Sequence, residues 1–130
     1  MANIKREGTF NQKRGVSVGV YTLTEAQILG DALIATLPER VIVTGVKTNV
    51  ITASGTASSN VTVKVGATSI ATNVAVATTG LKVTATPGYF ATGGDVTVVA
   101  GSVAPATGSL ECEVIVEYIE LDRTTGDYTN

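Results

Sequence analysis

The sequence predicts an all-β chain: an antiparallel β-sandwich of about eight strands, jelly-roll-like, behind an extended N-terminal arm. Three observations lead there. Apolar residues alternate with polar ones at a period of two in segment after segment, and most of the alternating residues are valine. Clusters of Gly, Pro, Asn and Ser punctuate those segments at short intervals. Thr, Val, Ala, Gly and Ser fill 76 of the 130 positions, so the strands offer small side chains that pack closely. A single domain of this length buries roughly two-thirds of the surface of its unfolded chain. An apolar fraction of 44% and a mean hydropathy of +0.30 are enough for that core.

The elements follow in order. Residues 1–15 are polar and basic, without periodicity, and read as an arm outside the core. From residue 16, Val16, Val18 and Val20 alternate with Ser17, Gly19 and Tyr21 as a strand. Thr24 is a legal helix N-cap, Gln27 sits at the capping-box position and Gly30 can stop the turn, so residues 24–30 read as one short helical turn. A strand follows over 32–37 and ends at Pro38. A single helix over 24–37 is the alternative, because Ile28, Leu29, Leu33 and Leu37 suit helical spacing; Gly30 and Asp31 in its middle argue against it.

The longest strand is expected over 40–53. Val41 and Val43 share one phase and Val46 and Val50 the other, which predicts a bulge at Gly45. A loop over 54–60 leads to the strand Val61, Val63, Val65. Further strands are expected over 69–77, 81–85 and 96–100, with turns at 66–68, 78–80, 87–88 and 93–95, and a loop over 101–108. The last strand has the firmest pattern. Leu110, Cys112, Val114, Val116 and Tyr118 share one face, and Glu111, Glu113 and Glu117 the other. Ile115 and Ile119 interrupt the charged face, so part of that face should be covered. The sandwich is expected to span 16–121, with a polar tail over 122–130.

Composition excludes several chemistries. The chain has no His, no Trp and one Cys. A histidine general base, a zinc site of His or several Cys, and a disulfide within one chain are therefore impossible. Glu111 and Glu113 lie about 7 Å apart along a strand. A glycosidase pair could use that spacing, but such pairs face each other across a cleft; a solvated face paired with Lys47, Lys64 or Lys82 is the expectation. Asp122, Asp127 and Asn130 are too sparse for a calcium loop. Cys112, in phase with Leu110 and Val114, is expected in the core. Asn60-Val61-Thr62 matches a glycosylation sequon. The run Met1 to Glu7 leads into polar residues, so no secretory signal is expected. No apolar run approaches the roughly 20 residues of a membrane helix, and aromatics at 5% are few for a membrane barrel. No enzyme activity, cofactor, nucleic-acid partner or membrane partner is expected.

Charge is unevenly spread. Residues 1–14 carry Lys5, Arg6, Lys13 and Arg14 against Glu7, a net +3. Residues 111–130 carry a net −5, and the middle is neutral. A basic front and an acidic back suggest ends that meet different partners, or each other across a subunit boundary. Within the arm, Lys5, Arg6, Lys13 and Arg14 are the candidates for an acidic surface and Phe10 for an apolar pocket.

A Thr/Val/Ala/Gly-rich β domain with a basic arm and no catalytic set resembles the head decoration, or cement, proteins of tailed bacteriophages. The stretches Leu37-Pro38-Glu39-Arg40-Val41-Ile42-Val43-Thr44-Gly45-Val46 and Glu113-Val114-Ile115-Val116-Glu117-Tyr118 carry that resemblance. It implies binding without chemistry. Such proteins sit on the capsid exterior of the virion after synthesis in the host cytoplasm, often as homotrimers, and brace the major capsid protein. The alternatives are a tail-, neck- or fibre-associated module that touches carbohydrate, and a non-viral β-sandwich adhesin or enzyme.

Overall fold

The computed structural model describes residues 17–84 and 88–121. The arm over 1–15 and the tail over 122–130 lie outside them. The described chain runs β1 (Ser17–Thr24), α1 (Glu25–Leu29), β2 (Ala32–Leu37), β3 (Val41–Thr52), β4 (Asn60–Val65), β5 (Thr68–Ala75), β6 (Gly80–Thr84), β7 (Gly88–Phe90), β8 (Gly94–Ala100) and β9 (Glu111–Glu120). It forms two antiparallel sheets. Sheet A has the order β1-β9-β3-β6, with β7 also on β3; sheet B has the order β2-β8-β4-β5. The class is the all-β sandwich that the sequence predicts. β7, only three residues long, is the strand the alternation does not reveal.

The pairs β4–β5, β3–β6, β2–β8 and β1–β9 nest inside one another. The chain is thus one long hairpin, reversed at Gly66 and Ala67, whose arms cross together between the sheets. β3–β9 and β4–β8 pairing then closes the roll.

Valine fills the space between the sheets because its branched side chain packs well on a pleated surface. Val41, Val43, Val46 and Val50 of β3, with Cys112, Val114 and Val116 of β9, face Val61, Val63 and Val65 of β4 and Val96 and Val98 of β8. All are buried.

The helical reading of 24–37 resolves as a single turn followed by a strand. The Thr24 N–H donates to Gln27 Oε1 at 2.9 Å, one half of the capping box. Ile28, fully buried, closes the core where the chain passes from sheet A to sheet B. The bulge at Gly45 is also present. The β3–β9 register slips between Val43 and Gly45, and the Thr44 hydroxyl donates to the Glu117 carbonyl at 3.2 Å. That slip lets valines of opposite phase face the same core.

Two close backbone approaches hold the loops. Gly93 has φ +70°, and a Cβ there would collide with the carbonyl oxygens of Leu37 and Pro38. Asn60, the sequon residue, accepts from the Val103 N–H at 3.2 Å, and Asn73 Oδ1 accepts from the Ser102 N–H at 2.9 Å. Asn60 therefore ties the β8–β9 loop to β4. At the opposite flank of that loop Glu25, buried, accepts from the Gly108 N–H at 2.6 Å, while its own N–H donates to the Leu110 carbonyl at 3.0 Å.

Candidate functional site

The arm residues Lys5, Arg6, Phe10, Lys13 and Arg14 lie outside the described residues. The acidic face of β9 lies within them, and its geometry is not that of a catalytic pair. Glu111, Glu113 and Glu117 project from one strand onto the open outer face of sheet A. Lys47 Nζ sits 3.1 Å from Glu117 Oε2, and Asn49 Nδ2 donates to Glu113 Oε1 at 3.0 Å. Lys47 is thus the cross-strand partner, as one of three candidates. The other two are corrected. Lys82 Nζ donates to Thr78 Oγ1 at 2.8 Å, and Lys64 belongs to sheet B, between Thr97 and Ser69. The Lys47–Glu117 pair is partly exposed, so Lys47→Ala should cost less than about 1 kcal/mol in chemical denaturation. A larger loss would mean the pair is shielded by a partner.

No pocket opens in the described structure. Among the described residues no group of three or more His, Cys, Asp or Glu could hold a metal ion, and no helix is long and apolar enough to cross a membrane.

Cys112 is buried between the sheets, where its alternation places it. Burial, with the Glu111 charge beside it, pushes its thiol from 9.0 up to about 11. Because the thiolate is the reactive form, Cys112 in native protein should react with a maleimide at pH 8 at least about a hundredfold slower than an exposed thiol. Fast labelling of folded protein would contradict the phase of β9. The same shift links to stability. The folded state keeps its proton in a pH range where the unfolded state has lost it. The contribution is therefore full below pH 9.0 and disappears as pH rises through about 11. Relative to Cys112→Ala, the wild type should lose about 1.4 kcal/mol per pH unit across that window.

The feature that calls for a function is the outer face of sheet A. Strand pairing lines up one row across four strands: Val20, Ile115, Lys47, Val83. A second row across β9, β3 and β7 is Ile119, Ile42, Tyr89. Val18 and Leu81 extend the patch at the two edges. Val20 is 57% exposed and Val83 62% exposed. The matching row on the outer face of sheet B is Leu33, Thr97, Lys64, Ser69. That face is mostly Thr, Ser, Asn and Lys, as a solvated sheet should be. Sheet A therefore presents apolar residues on both faces, with the Glu and Lys side chains set among them. Val18 and Val20 at one edge and Leu81 and Val83 at the other are left exposed, with the Lys47–Glu117 and Asn49–Glu113 pairs between them, and exposed apolar side chains gathered on one sheet face mark a binding surface.

Comparison with solved structures places the architecture. The chain resembles a chain in the acidic stable capsid structure of Helicobacter pylori bacteriophage KHP30, with a TM-score of 0.59, 14% identity, and coverage of 82% of this chain and 89% of that one. It also resembles a chain of the cyanophage Pam1 capsid asymmetric unit, with a TM-score of 0.52, 22% identity, and coverage of 82% and 84%. The fold is shared with phage capsid chains. No protein-family model and no curated protein sequence matches it.

Sequence reasoning found the acidic strand, its lysine partner and the two isoleucines that break the charged face. It did not find the patch. Val18, Val20, Leu81 and Val83 alternate like core residues, and nothing local says that their face is the outer one.

Proposed function

We propose that this chain is a non-enzymatic structural protein of a phage virion. It binds the outer surface of the capsid as a decoration or cement protein and acts as a homo-oligomer, with a trimer as the favoured state. The observation that carries the reading is a fold shared with chains of two phage capsids, together with exposed apolar side chains on sheet A that an assembly would cover. A protein that works by covering surface needs such a face and needs no pocket. The nested strand pairing supports the reading too, because it is the pairing of a jelly roll, an architecture that viral capsid domains use. A closed trimer would give each weak contact the benefit of avidity.

The arm residues Lys5, Arg6, Phe10, Lys13 and Arg14 are assigned to partner contact, with the major capsid protein and sister copies as the partners. Deleting residues 1–15 should leave the thermal midpoint of the isolated domain almost unchanged, since the described core is built from β1 to β9, and should weaken attachment.

The deciding experiment mixes purified protein with capsids and measures copies bound per particle and the temperature at which the particles rupture. Many copies per particle and a higher rupture temperature are expected. Few copies would instead match a tail, neck or fibre component, and no binding would refute a virion role on the shell.

A further inference from the structure

The exposed apolar face of sheet A needs a cover, and the chain itself carries a segment that fits. On that face Glu111, Glu113 and Glu117 outnumber Lys47, which already pairs with Glu117. Residues 1–14 carry a net +3 together with Ile4 and Phe10. In an extended chain Ile4, Arg6, Phe10 and Arg14 fall on one side, because successive side chains alternate. One edge of such a segment is therefore both apolar and basic, and the face it would meet is both apolar and acidic.

The arm is long enough to reach a sheet A face, and the direction of β1 points it to a neighbour's. Residues 1–16 reach roughly 50 Å when extended, whereas β9, ten residues long, spans about 34 Å. β1 runs along the edge of sheet A, and Ser17 pairs with Tyr118 near one end of β9. A chain continued backwards from Ser17 leaves past that end. Continuing β1 in that direction leads away from the molecule's own sheet A and towards a neighbouring one.

We propose that the outer face of sheet A is the seat for residues 1–16 of a neighbouring copy of this chain, so that copies are joined by exchanged arms. The Glu side chains hold Arg6 and Arg14, and Phe10 lies against Val83 at the β6 edge. Each copy gives one arm and receives one, a heterologous contact that closes into a ring when the rotation permits. The inference rests on the reading of this protein as an oligomeric surface binder and names the partner of its arm.

Disulfide trapping tests it. Full-length Phe10→Cys and Val83→Cys chains, one with an affinity tag, are co-expressed and oxidised; Cys112 is buried and contributes no accessible thiol. Val83 is 62% exposed, and circular dichroism of both variants checks folding. A docked arm raises the local thiol concentration. The mixed disulfide should therefore form roughly tenfold or more above a control pairing Phe10→Cys with Ser69→Cys on sheet B. Adding 1 M salt during oxidation, where the Debye length is about 3 Å, should lower the yield. Equal yields at Val83 and Ser69 overturn the proposal. So does a Phe10→Cys/Val83→Cys double variant that closes only within single chains. The outcomes separate the two claims. Capsid binding without a mixed disulfide removes the arm exchange alone, and a mixed disulfide without capsid binding removes the capsid role alone.

Discussion

Gly93→Ala should lower the thermal midpoint by about 15 °C, the largest loss expected from adding one methyl group to this domain. Gly93 has φ +70°, where an alanine costs about 1 kcal/mol or more. The added Cβ would also meet the carbonyl oxygens of Leu37 and Pro38, the end of β2 and the turn after it. Those are backbone atoms and cannot rotate away. The Gly93 N–H bonds the Phe90 carbonyl at 3.3 Å, so the turn itself is fixed from the other side. Overpacking of this kind costs roughly 1–3 kcal/mol, and a total near 4 kcal/mol gives the stated shift at about 4 °C per kcal/mol, the value between those of smaller and larger domains. Differential scanning calorimetry decides. A shift under about 4 °C would mean that the β7–β8 turn moves away from β2 at little cost. As a control, Gly66→Ala keeps a positive φ of +59° but has open space around the new Cβ, so it should cost only the backbone part.

Val20→Lys combined with Val83→Lys should leave the fold intact and weaken association about a hundredfold. Both side chains are more than half exposed, so little folding free energy is at stake, within about 0.5 kcal/mol each. Both also lie in the row with Ile115 and Lys47, at opposite edges of sheet A. Covering a valine contributes roughly 1.5 kcal/mol or more, and two of them give about the 2.7 kcal/mol that a hundredfold change requires. The lysines add a second effect, because they cancel the acidic character of the face. Light scattering should show smaller assemblies, and sedimentation with capsids should show less protein bound. The matched pair Ser69→Lys and Thr72→Lys, exposed on sheet B, should change neither. If both pairs behave alike, the apolar face is not the binding surface.

The sequence was informative wherever a property is local. The alternation of β9 assigns Cys112, Val114 and Val116 to one face and the glutamates to the other, because a strand sends successive side chains to opposite sides. The phase change between Val43 and Val46 locates the bulge, since one extra residue is the only way to keep both valine sets in one core. Thr24 and Gln27 place the helical turn, because capping depends on residues three apart. β7 stayed hidden because three residues carry too little alternation to register; it is a strand only because β3 is long enough to pair with it beside β6.

By itself the sequence therefore determined the class, most of the strands and that this chain holds no histidine base, no zinc site of His or several Cys and no disulfide within itself. The tertiary structure alone decided which way the faces of β1 and β6 point. A period of two divides a strand into two faces but does not say which one enters the core. Val18 and Val20 read as well for the interior as Val114 and Val116 do. β1 is turned by its register with β9, which sets Leu23 opposite Cys112 and Tyr21 opposite Val114 on the inner side. Val20 is thereby left opposite Ile115 on the outer side. That register joins residues about a hundred positions apart, and only long-range pairing across the closed sandwich could turn an ordinary valine strand into the edge of a binding face.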